Sequence, residues 1–188
     1  ALPICILYKK TINECTPNNF KVECDIIYPA DTNCIIPSES ELDQYDGITW
    51  TGCSLSVINN DKIVDKQIDL MQRCFNTSSV MFGSCWALQV AVTALGGRCI
   101  VNPNGRETYI SRKILLNEFG KSHPMYHNKP HVFDSWTSHE DIVVSMPPNS
   151  SKVNWQILSG NNMTSIQSAS LQYKNAVFWA VQYHPEYN

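Results

Sequence analysis

Hydrophobic and polar positions divide the chain into two parts with different patterns. In the first part, apolar runs predict strands at Ile4–Tyr8, Cys24–Tyr28 and Gly47–Thr51. The segment Asp61–Phe75 carries apolar residues at helical spacing, which predicts an amphipathic helix. Strands that alternate with helices are typical of a parallel sheet with right-handed crossovers, and we expect such a sheet here.

From Arg98 onward the apolar runs are shorter, and Pro, Asn and Gly separate them. This pattern predicts antiparallel strands and loops layered onto the sheet, with the last strand returning beside its centre. The predicted strands are Cys99–Val101, Glu107–Ile110, Val132–Trp136, Ile142–Met146, Gln156–Gly160, Ile166–Leu171 and Val177–Tyr183. Because no internal repeat, linker or low-complexity segment interrupts the chain, we expect residues 1–188 to form a single domain.

One strand is predicted to turn sharply into a helix. The apolar run Val80–Phe82 is typical of a buried strand, and the apolar spacing of Leu88–Leu95 predicts a helix. Between them, Gly83–Ala87 places small residues around Cys85, as a strained strand-to-helix turn requires. Such a turn holds Cys85 out beside the helix N-terminus, which favours the thiolate. A buried core thiol is the alternative, and a nucleophile would need a base.

His184 and Glu186 supply a base and its orienting carboxylate. They follow the last predicted strand, and Pro185 between them ends that strand. Because the two residues are two apart at a strand end, both can lean towards one cleft. The sequence therefore predicts a Cys85–His184–Glu186 triad. His139, in a polar turn, is the rival base, but Glu186 favours His184.

A nucleophile of this kind also needs backbone N–H groups that stabilise the oxyanion. One N–H comes from the residue after the nucleophile, which is Trp86, and one from a neighbouring loop at the end of a strand. Gly52 follows the third predicted strand, and its N–H or that of Cys53 would be the second donor. The sequence leaves the choice between Gly52 and Cys53 open, and an ordinary glycine turn is the alternative.

Gln89 lies four residues after Cys85, on the same face of the predicted helix. Its amide could hydrogen-bond the α-amino or carboxylate group of a substrate, or it could fill a buried polar gap. Three histidines are also spaced by four residues: His123, His127 and His131. Prolines at 124 and 130 exclude a helix there, so no metal site is predicted, and the chemistry of the triad requires no cofactor.

Composition narrows the functional class. The net charge is −3 with 16% charged residues and no block of Lys or Arg, which predicts no nucleic-acid surface and no binding to an acidic membrane. Eight cysteines and sequons at Asn76, Asn149 and Asn162 would suit a secreted protein. The cysteines have no paired spacing, and several lie in apolar runs where a reduced thiol packs. We therefore expect free thiols, and a cytoplasmic location is implied by the family resemblance that is described next.

Two motifs carry a family resemblance. Gly-Ser-Cys-Trp-Ala-Leu-Gln around Cys85, followed by Gln-Tyr-His-Pro-Glu-Tyr around His184, resembles the class I (triad-type) glutamine amidotransferase domain. Within that family the chain is most similar to stand-alone, GMP-synthase-like members, and Tyr45–Val57 and Ser138–Asp141 match further family segments. Ala87 and Tyr109 depart from the pattern, since relatives usually have glycine at both positions.

The resemblance implies a fold and an activity. The implied fold is a three-layer, flavodoxin-like α/β fold with a mixed, largely parallel central sheet and an added antiparallel portion. The implied activity is hydrolysis of the L-glutamine side-chain amide through a Cys85 thioester, with ammonia delivered to a synthase or synthetase partner. Gln89, Ser138 and His139 would line the glutamine pocket, the last two largely through backbone contacts.

Two other functions stay open at this stage. A γ-glutamyl hydrolase or peptidase would share the triad and the thioester, and would need room for a larger leaving amine. A silent domain that only binds glutamine would not need the intact Cys85, His184 and Glu186. Aromatic residues near the active ends of the strands are of the kind enriched at interfaces, with packing around the cleft as the alternative: Trp136, Tyr183 and Tyr187.

Overall fold

Nine strands and five α-helices make up the part of the chain that the computed structural model describes, residues 3–59, 61–77 and 79–187. The helices are α1 (Ile4–Cys15), α2 (Glu39–Leu42), α3 (Lys62–Asn76), α4 (Trp86–Ala94) and α5 (Glu118–Ser122), with a 3₁₀ turn at Pro124–Tyr126. The strands are β1 (Ile48–Trp50), β2 (Val80–Ser84), β3 (Arg98–Val101), β4 (Glu107–Leu116), β5 (Val132–His139), β6 (Asp141–Ser145), β7 (Val153–Gly160), β8 (Ser168–Tyr173) and β9 (Ala176–Val181). Residues 1, 2, 60, 78 and 188 of the predicted single domain lie outside these ranges.

Seven strands form one mixed sheet in the order β1-β2-β9-β8-β7-β4-β5. The pairs β1–β2 and β2–β9 are parallel, and the pairs from β9 to β5 are antiparallel. Strands β3 and β6 form a separate antiparallel ribbon. The predicted α/β class with an added antiparallel portion is confirmed. So is the return of the last strand, because β9 lies directly beside β2.

Helices α3 and α4 cover one face of the parallel strands. Asp61 caps α3 by accepting a hydrogen bond from the backbone of Ile63, and the helix buries Val64, Leu70 and Met71. In α4 every residue except Thr93 is buried. Trp86 at the start of α4 donates from its indole to Gln67 of α3 over 2.8 Å. This bond fixes the beginning of α4, and with it the turn that carries Cys85.

The opposite face of β2 is covered by α1. The rings of Tyr8 and Phe82 lie 6.4 Å apart, and Tyr8 is buried. The strand predicted at Ile4–Tyr8 is therefore wrong. A short apolar run does not distinguish a strand from a helix, and here residues four apart, Ile4 and Tyr8, share the inward face.

The strand predicted at Cys24–Tyr28 is also wrong, because this segment is irregular. Ile27 and Tyr28 are exposed, and no strand of the described chain pairs with the segment. Strand-forming side chains stabilise a strand mainly through packing on neighbours, which this segment lacks. The predicted strand at 47–51, the predicted helix at 61–75 and the predicted strands after Arg98 all have counterparts in the structure.

Candidate active site

Cys85 lies at the junction of β2 and α4 with a strained backbone. Its φ is 54° and its ψ is −104°, a conformation that costs a residue with a Cβ about 1–3 kcal/mol. Its N–H donates to the carbonyl of Val181 in β9 over 2.7 Å, and its own carbonyl accepts from Leu88 at 3.1 Å. The turn is therefore held from the neighbouring strand and from the helix, as the sharp strand-to-helix turn predicted from the sequence requires.

Gly83 explains how Ala87 is accommodated where relatives usually have glycine. A Cβ on Gly83 would lie 2.4 Å from the Cβ of Ala87 and 2.9 Å from the carbonyl oxygen of Trp50. Both distances are impossible for real Cβ atoms, so only glycine fits at position 83. The close approach of strand and helix is thus preserved, with the single methyl group carried by the helix.

His184 and Glu186 meet next to Cys85. Nδ1 of His184 lies 2.7 Å from Oε1 of Glu186, and both side chains are buried. Burial lowers the pKa of His184, but the hydrogen bonds with Cys85 and Glu186 and the negative charges of both outweigh it and raise the pKa to about 9. Tyr187 stacks on the imidazole with ring centres 5.1 Å apart. The three residues of the predicted triad therefore lie together, with His184 in the middle.

The backbone of His184 is anchored to the antiparallel part of the sheet. Its N–H donates to the carbonyl of Trp136 in β5 over 2.7 Å. Trp136 and Tyr187 are partly exposed, whereas Tyr183 is buried, so Tyr183 follows the alternative of packing and is not available to an interface. Tyr183 is buried because its hydroxyl lies 2.9 Å from that of Tyr126 inside a small aromatic cluster.

Gly52 brings the backbone of the loop after β1 close to the site. A Cβ at this position would lie 2.7 Å from Cε1 of His184 and 3.6 Å from the Cβ of Cys85. Gly52 and Cys53 are in the loop after β1, as predicted, and Trp86 is the first residue of α4. The first N–H groups of a helix have no acceptor within it, so the Trp86 N–H is available to a ligand. The geometry leaves the choice between Gly52 and Cys53 open.

The strand β5 brings Ser138 to Cys85. The thiol of Cys85 donates to the carbonyl of Ser138 at 3.7 Å, and the Ser138 hydroxyl accepts from Arg106 at 3.2 Å. Gln89 is buried, and its Nε2 donates to the carbonyl of Asp141 over 2.9 Å. That amide nitrogen is already engaged within the protein, so a substrate contact by Gln89 stays a prediction.

His139 belongs to a second buried cluster. Its Nε2 lies 2.9 Å from Oε2 of Glu107, and its Nδ1 lies 3.1 Å from the carbonyl of Asp141. The prediction that His139 lies in a polar turn is wrong, since it ends β5 and is buried.

Glu107 has a place in this cluster that was not predicted from the sequence. Only the strand register, in which Glu107 faces His139 across β4 and β5, brings the two together. No local sequence signal fixes that register, and the predicted strand Val132–Trp136 ended before His139, so the contact could not be found from the sequence.

Three further findings concern metal ligands, the cysteine thiols and membrane-spanning helices. The described residues contain no group of three or more His, Cys, Asp or Glu side chains that could hold a metal ion, and His123 packs edge-on against Trp179 instead. All eight cysteines carry free thiols. None of the helices in the described ranges is long and apolar enough to cross a lipid bilayer.

Comparison with known proteins gives relatives with two kinds of activity. The chain is 31% identical over 171 residues to the γ-glutamyl-L-1-hydroxyisopropylamide hydrolase of a Pseudomonas species, covering 89% of this chain and 55% of that enzyme. It is 32% identical over 143 residues to the glutamine-hydrolysing GMP synthase of Exiguobacterium sibiricum, covering 76% of this chain and 24% of the synthase. The chain thus spans about half of the first relative and a quarter of the second.

Solved structures of similar fold and one family model also match this chain. A protein described as a GMP synthase subunit from Thermoplasma acidophilum has a TM-score of 0.64 at 18% identity, covering 80% of this chain and 68% of that one. A glutamine amidotransferase from Thermotoga maritima has a TM-score of 0.63 at 14% identity, covering 96% and 70%. At these identities the likeness shows the fold alone. The family model for glutamine amidotransferase class-I matches residues 14–188, and the chain therefore belongs to that family.

Proposed function

We propose that this chain hydrolyses the side-chain amide of L-glutamine through a covalent thioester on Cys85. The observation that carries the proposal is the arrangement of three side chains. Cys85 is held at a strained turn, and the position that a Cβ on Gly52 would take lies 3.6 Å from the Cβ of Cys85 and 2.7 Å from Cε1 of His184. Nδ1 of His184 lies 2.7 Å from Oε1 of Glu186. A nucleophile, a base and an orienting carboxylate in that order support acyl transfer.

The first half-reaction forms the thioester. The Cys85 thiolate attacks the amide carbon, and the carbonyl electrons move to oxygen to give a tetrahedral oxyanion. The backbone N–H of Trp86 and an N–H of the loop at Gly52 and Cys53 stabilise this oxyanion. His184, raised in pKa to about 9, is protonated at neutral pH and gives its Nε2 proton to the leaving ammonia as the C–N bond breaks.

The second half-reaction releases glutamate. Neutral His184 takes a proton from water, the resulting hydroxide attacks the thioester, and the Cys85 thiolate leaves with the bonding electrons. Glu186 accepts from Nδ1 of His184 throughout, so that Nε2 always faces the reacting atoms. The Ser138 carbonyl beside the thiol borders the same space and supports a pocket-lining role for this segment, with Gln89 one helical turn further on.

Labelling of Cys85 tests the proposal directly. A glutamine-analogue electrophile should add once per chain and modify Cys85, as read by peptide mass spectrometry. Cys85→Ala should lose both the label and amide hydrolysis, whereas Cys15→Ala, which alters an exposed thiol on α1, should keep both. Labelling of Cys53 or Cys74 in place of Cys85 would contradict the proposed nucleophile.

A γ-glutamyl amide or peptide is the second candidate substrate. It is favoured by the Pseudomonas hydrolase, which matches 89% of this chain, more than the synthase does. Both substrates form the same γ-glutamyl thioester and differ only in the leaving amine. Hydrolysis rates on glutamine and on γ-glutamyl alkylamides separate the two, since turnover of the amides without turnover of glutamine would replace the first candidate by the second.

If glutamine is the substrate, the ammonia needs an acceptor, and we propose a synthase or synthetase partner. The relatives named GMP synthase support this, because they couple glutamine hydrolysis to synthesis. We expect slow turnover by the chain alone and a partner that raises kcat more than it lowers KM, because alignment of oxyanion donors acts on the transition state. Fast turnover of glutamine that no partner changes would contradict this expectation.

A further inference from the structure

The helix α1 contacts residues that neighbour the proposed catalytic residues, and most of it lies outside the matched family region. The family match begins at residue 14, and α1 spans Ile4–Cys15. Two of its residues face the site. The Cδ1 of Ile4 lies 3.5 Å from the position that a Cβ on Gly52 would occupy, and Tyr8 is buried against β2. Because Ile4 and Tyr8 are four apart, they form one inward stripe of the helix.

A chain of hydrogen bonds connects Tyr8 to Glu186. The Tyr8 hydroxyl lies 2.7 Å from Oγ of Ser84, and the Ser84 hydroxyl lies 3.3 Å from Oε1 of Glu186. The direction of this chain is fixed by chemistry. An ionised carboxylate only accepts, so Ser84 donates to Glu186, and Ser84 Oγ then accepts from Tyr8. Ser84 is fully buried, so water does not compete for these bonds.

Tyr8 keeps its proton under all working conditions. Burial, and next the negative charge of Glu186, raise the pKa of the Tyr8 hydroxyl well above its ordinary value. The hydroxyl therefore remains a donor over the whole pH range of an activity assay. The titratable groups that face this cluster are Tyr8 from α1, Cys85 at the start of α4, and His184 and Tyr187 beside Glu186.

The carboxylate of Glu186 needs such an anchor. Its Oε1 meets both His184 and Ser84, whereas its buried Oε2 has no hydrogen-bond partner among the residues that the structure describes. Without Ser84 the carboxylate would be held by the His184 bond alone. It could then rotate about its last torsion, which is a broad one for glutamate, and the imidazole would lose its fixed orientation.

We propose that Tyr8 is a positioning residue for the reaction: acting through Ser84, its hydroxyl holds Glu186 Oε1 against Nδ1 of His184. This proposal rests on the proposed function, in which His184 exchanges protons with the leaving amine and water. Helix α1 is then part of the working site, although the match to the family begins near its end.

Tyr8→Phe is the main test, because it keeps the ring against Phe82 and removes only the hydroxyl. We expect kcat to fall roughly threefold to tenfold, the effect of weakening one hydrogen bond, with KM unchanged. The alkaline limb of kcat/KM and the NMR titration midpoint of the His184 ring should both move to lower pH, because a loosely held carboxylate stabilises the imidazolium less. Ser84→Ala should give the same changes, and the double variant should be no worse than Ser84→Ala alone.

Tyr126→Phe is the matched control. It removes another buried tyrosine hydroxyl, which lies 2.6 Å from Oγ of Ser168 and 2.9 Å from the hydroxyl of Tyr183, and neither of these two side chains is hydrogen-bonded to Glu186. This control should lose thermal stability and keep the wild-type kcat and alkaline limb. The proposal is overturned if Tyr8→Phe has the wild-type kcat and His184 titration, if its effect adds to that of Ser84→Ala, or if Tyr126→Phe moves the limb equally.

The proposed function and the role of Tyr8 fail in distinguishable ways. A wild-type chain that neither hydrolyses a γ-glutamyl amide nor forms a Cys85 adduct defeats the proposed function. In that case the His184 titration by NMR still reports on the hydrogen-bond chain, since it needs no turnover. An active wild type with an unchanged Tyr8→Phe variant defeats only the role of Tyr8.

Discussion

Two buried histidine–glutamate pairs lie in the described part of the chain, and they differ in what the histidine has left to offer. In the His184–Glu186 pair, Nδ1 meets the carboxylate and the other side of the ring faces Cys85. In the His139–Glu107 pair, Nε2 meets the carboxylate and Nδ1 meets a backbone carbonyl, so both nitrogens are engaged. A histidine can move protons to a substrate only through a nitrogen that the protein has not already occupied.

The two glutamates differ in how many side chains donate hydrogen bonds to them. Oε1 of Glu186 meets His184 and Ser84. Glu107 accepts from four side chains, which are His139, Ser111, Asn161 and Gln167. Burial raises the pKa of Glu107, but these hydrogen bonds and the charge of His139 lower it to about 2. We propose that the His184–Glu186 pair, the open pair, is arranged for proton transfer, and that the His139–Glu107 pair, the closed pair, holds β4, β5 and their neighbours together.

Replacing each histidine in turn gives the largest expected contrast. His184→Ala should lower kcat by about 10²–10⁴-fold, the usual contribution of a general acid–base. His139→Ala should mainly raise KM, because it loosens the segment that carries the Ser138 carbonyl without removing a proton donor. Steady-state kinetics of both variants decide the matter. A near wild-type His184→Ala beside an inactive His139→Ala would reverse the assignment of the two pairs.

Replacing Glu107 should affect stability first. Glu107→Gln removes the negative charge that pairs with His139, and it places an amide nitrogen among side chains that also donate. Breaking a buried pair in this way lowers the free energy of unfolding by about 3–5 kcal/mol. Urea unfolding measures this loss. Glu118→Gln is the control, because Glu118 forms an exposed ion pair with Lys121 and should change the unfolding free energy very little.

The acid limb of the stability curve gives an independent check of the same pair. The pKa of Glu107 is depressed from 4.5 to about 2, so the unfolded chain binds the proton more readily. The corresponding stability is present above pH 4.5 and is lost as the pH falls towards 2, by about 3 kcal/mol. Glu107→Gln should lack this loss, and an acid limb that survives unchanged in the variant would contradict the assignment.

Activity that depends on the His184–Glu186 pair should change at alkaline pH. Because the pKa of His184 is raised from 6.5 to about 9, its proton is held at neutral pH and is lost as the pH rises through 9. We expect kcat/KM to fall along that alkaline limb. In Glu186→Gln the limb should move to lower pH and kcat should fall less than in His184→Ala. A limb that stays in place in Glu186→Gln would show that the carboxylate does not support the imidazolium.

Local patterns in the sequence were enough to predict the open pair. Cys85 lies between small residues at a strand-to-helix turn, and His184 and Glu186 are two apart at a strand end. The shared cleft follows once β9 is placed beside β2, as the structure confirms. The roles assigned to these residues stay proposals, but their proximity could be predicted from the sequence.

The contact in the closed pair and the role of α1 could not be predicted from the sequence. Glu107 and His139 are 32 residues apart, and their contact depends on a strand register that no local signal fixes. The Tyr8 contact depends on α1, whose apolar run was mistaken for a strand. The approach of Gly52 to His184 is a backbone property that side-chain identity does not reveal, beyond the choice of glycine.

Backbone strain also distinguishes the two pairs and gives the smallest predicted effect. Beside the open pair, the strained backbone at Cys85 positions the proposed nucleophile. Two residues after Glu107, Tyr109 has a φ of 65°, and its side chain is 77% exposed. This strain lies at an exposed side chain, and glycine would adopt the same backbone conformation without it.

Tyr109→Gly should therefore stabilise the chain without changing activity. A left-handed conformation costs a residue with a Cβ about 1–2 kcal/mol, and glycine gives back part of that through backbone entropy, so the expected gain is about 0.5–1 kcal/mol. Urea unfolding measures the gain, and kcat and KM should match the wild type. Tyr109→Ala keeps the Cβ and should gain nothing. An equal gain in stability from Tyr109→Ala would show that loss of the exposed ring, and not relief of backbone strain, stabilises the chain. Backbone strain would then not distinguish the two pairs.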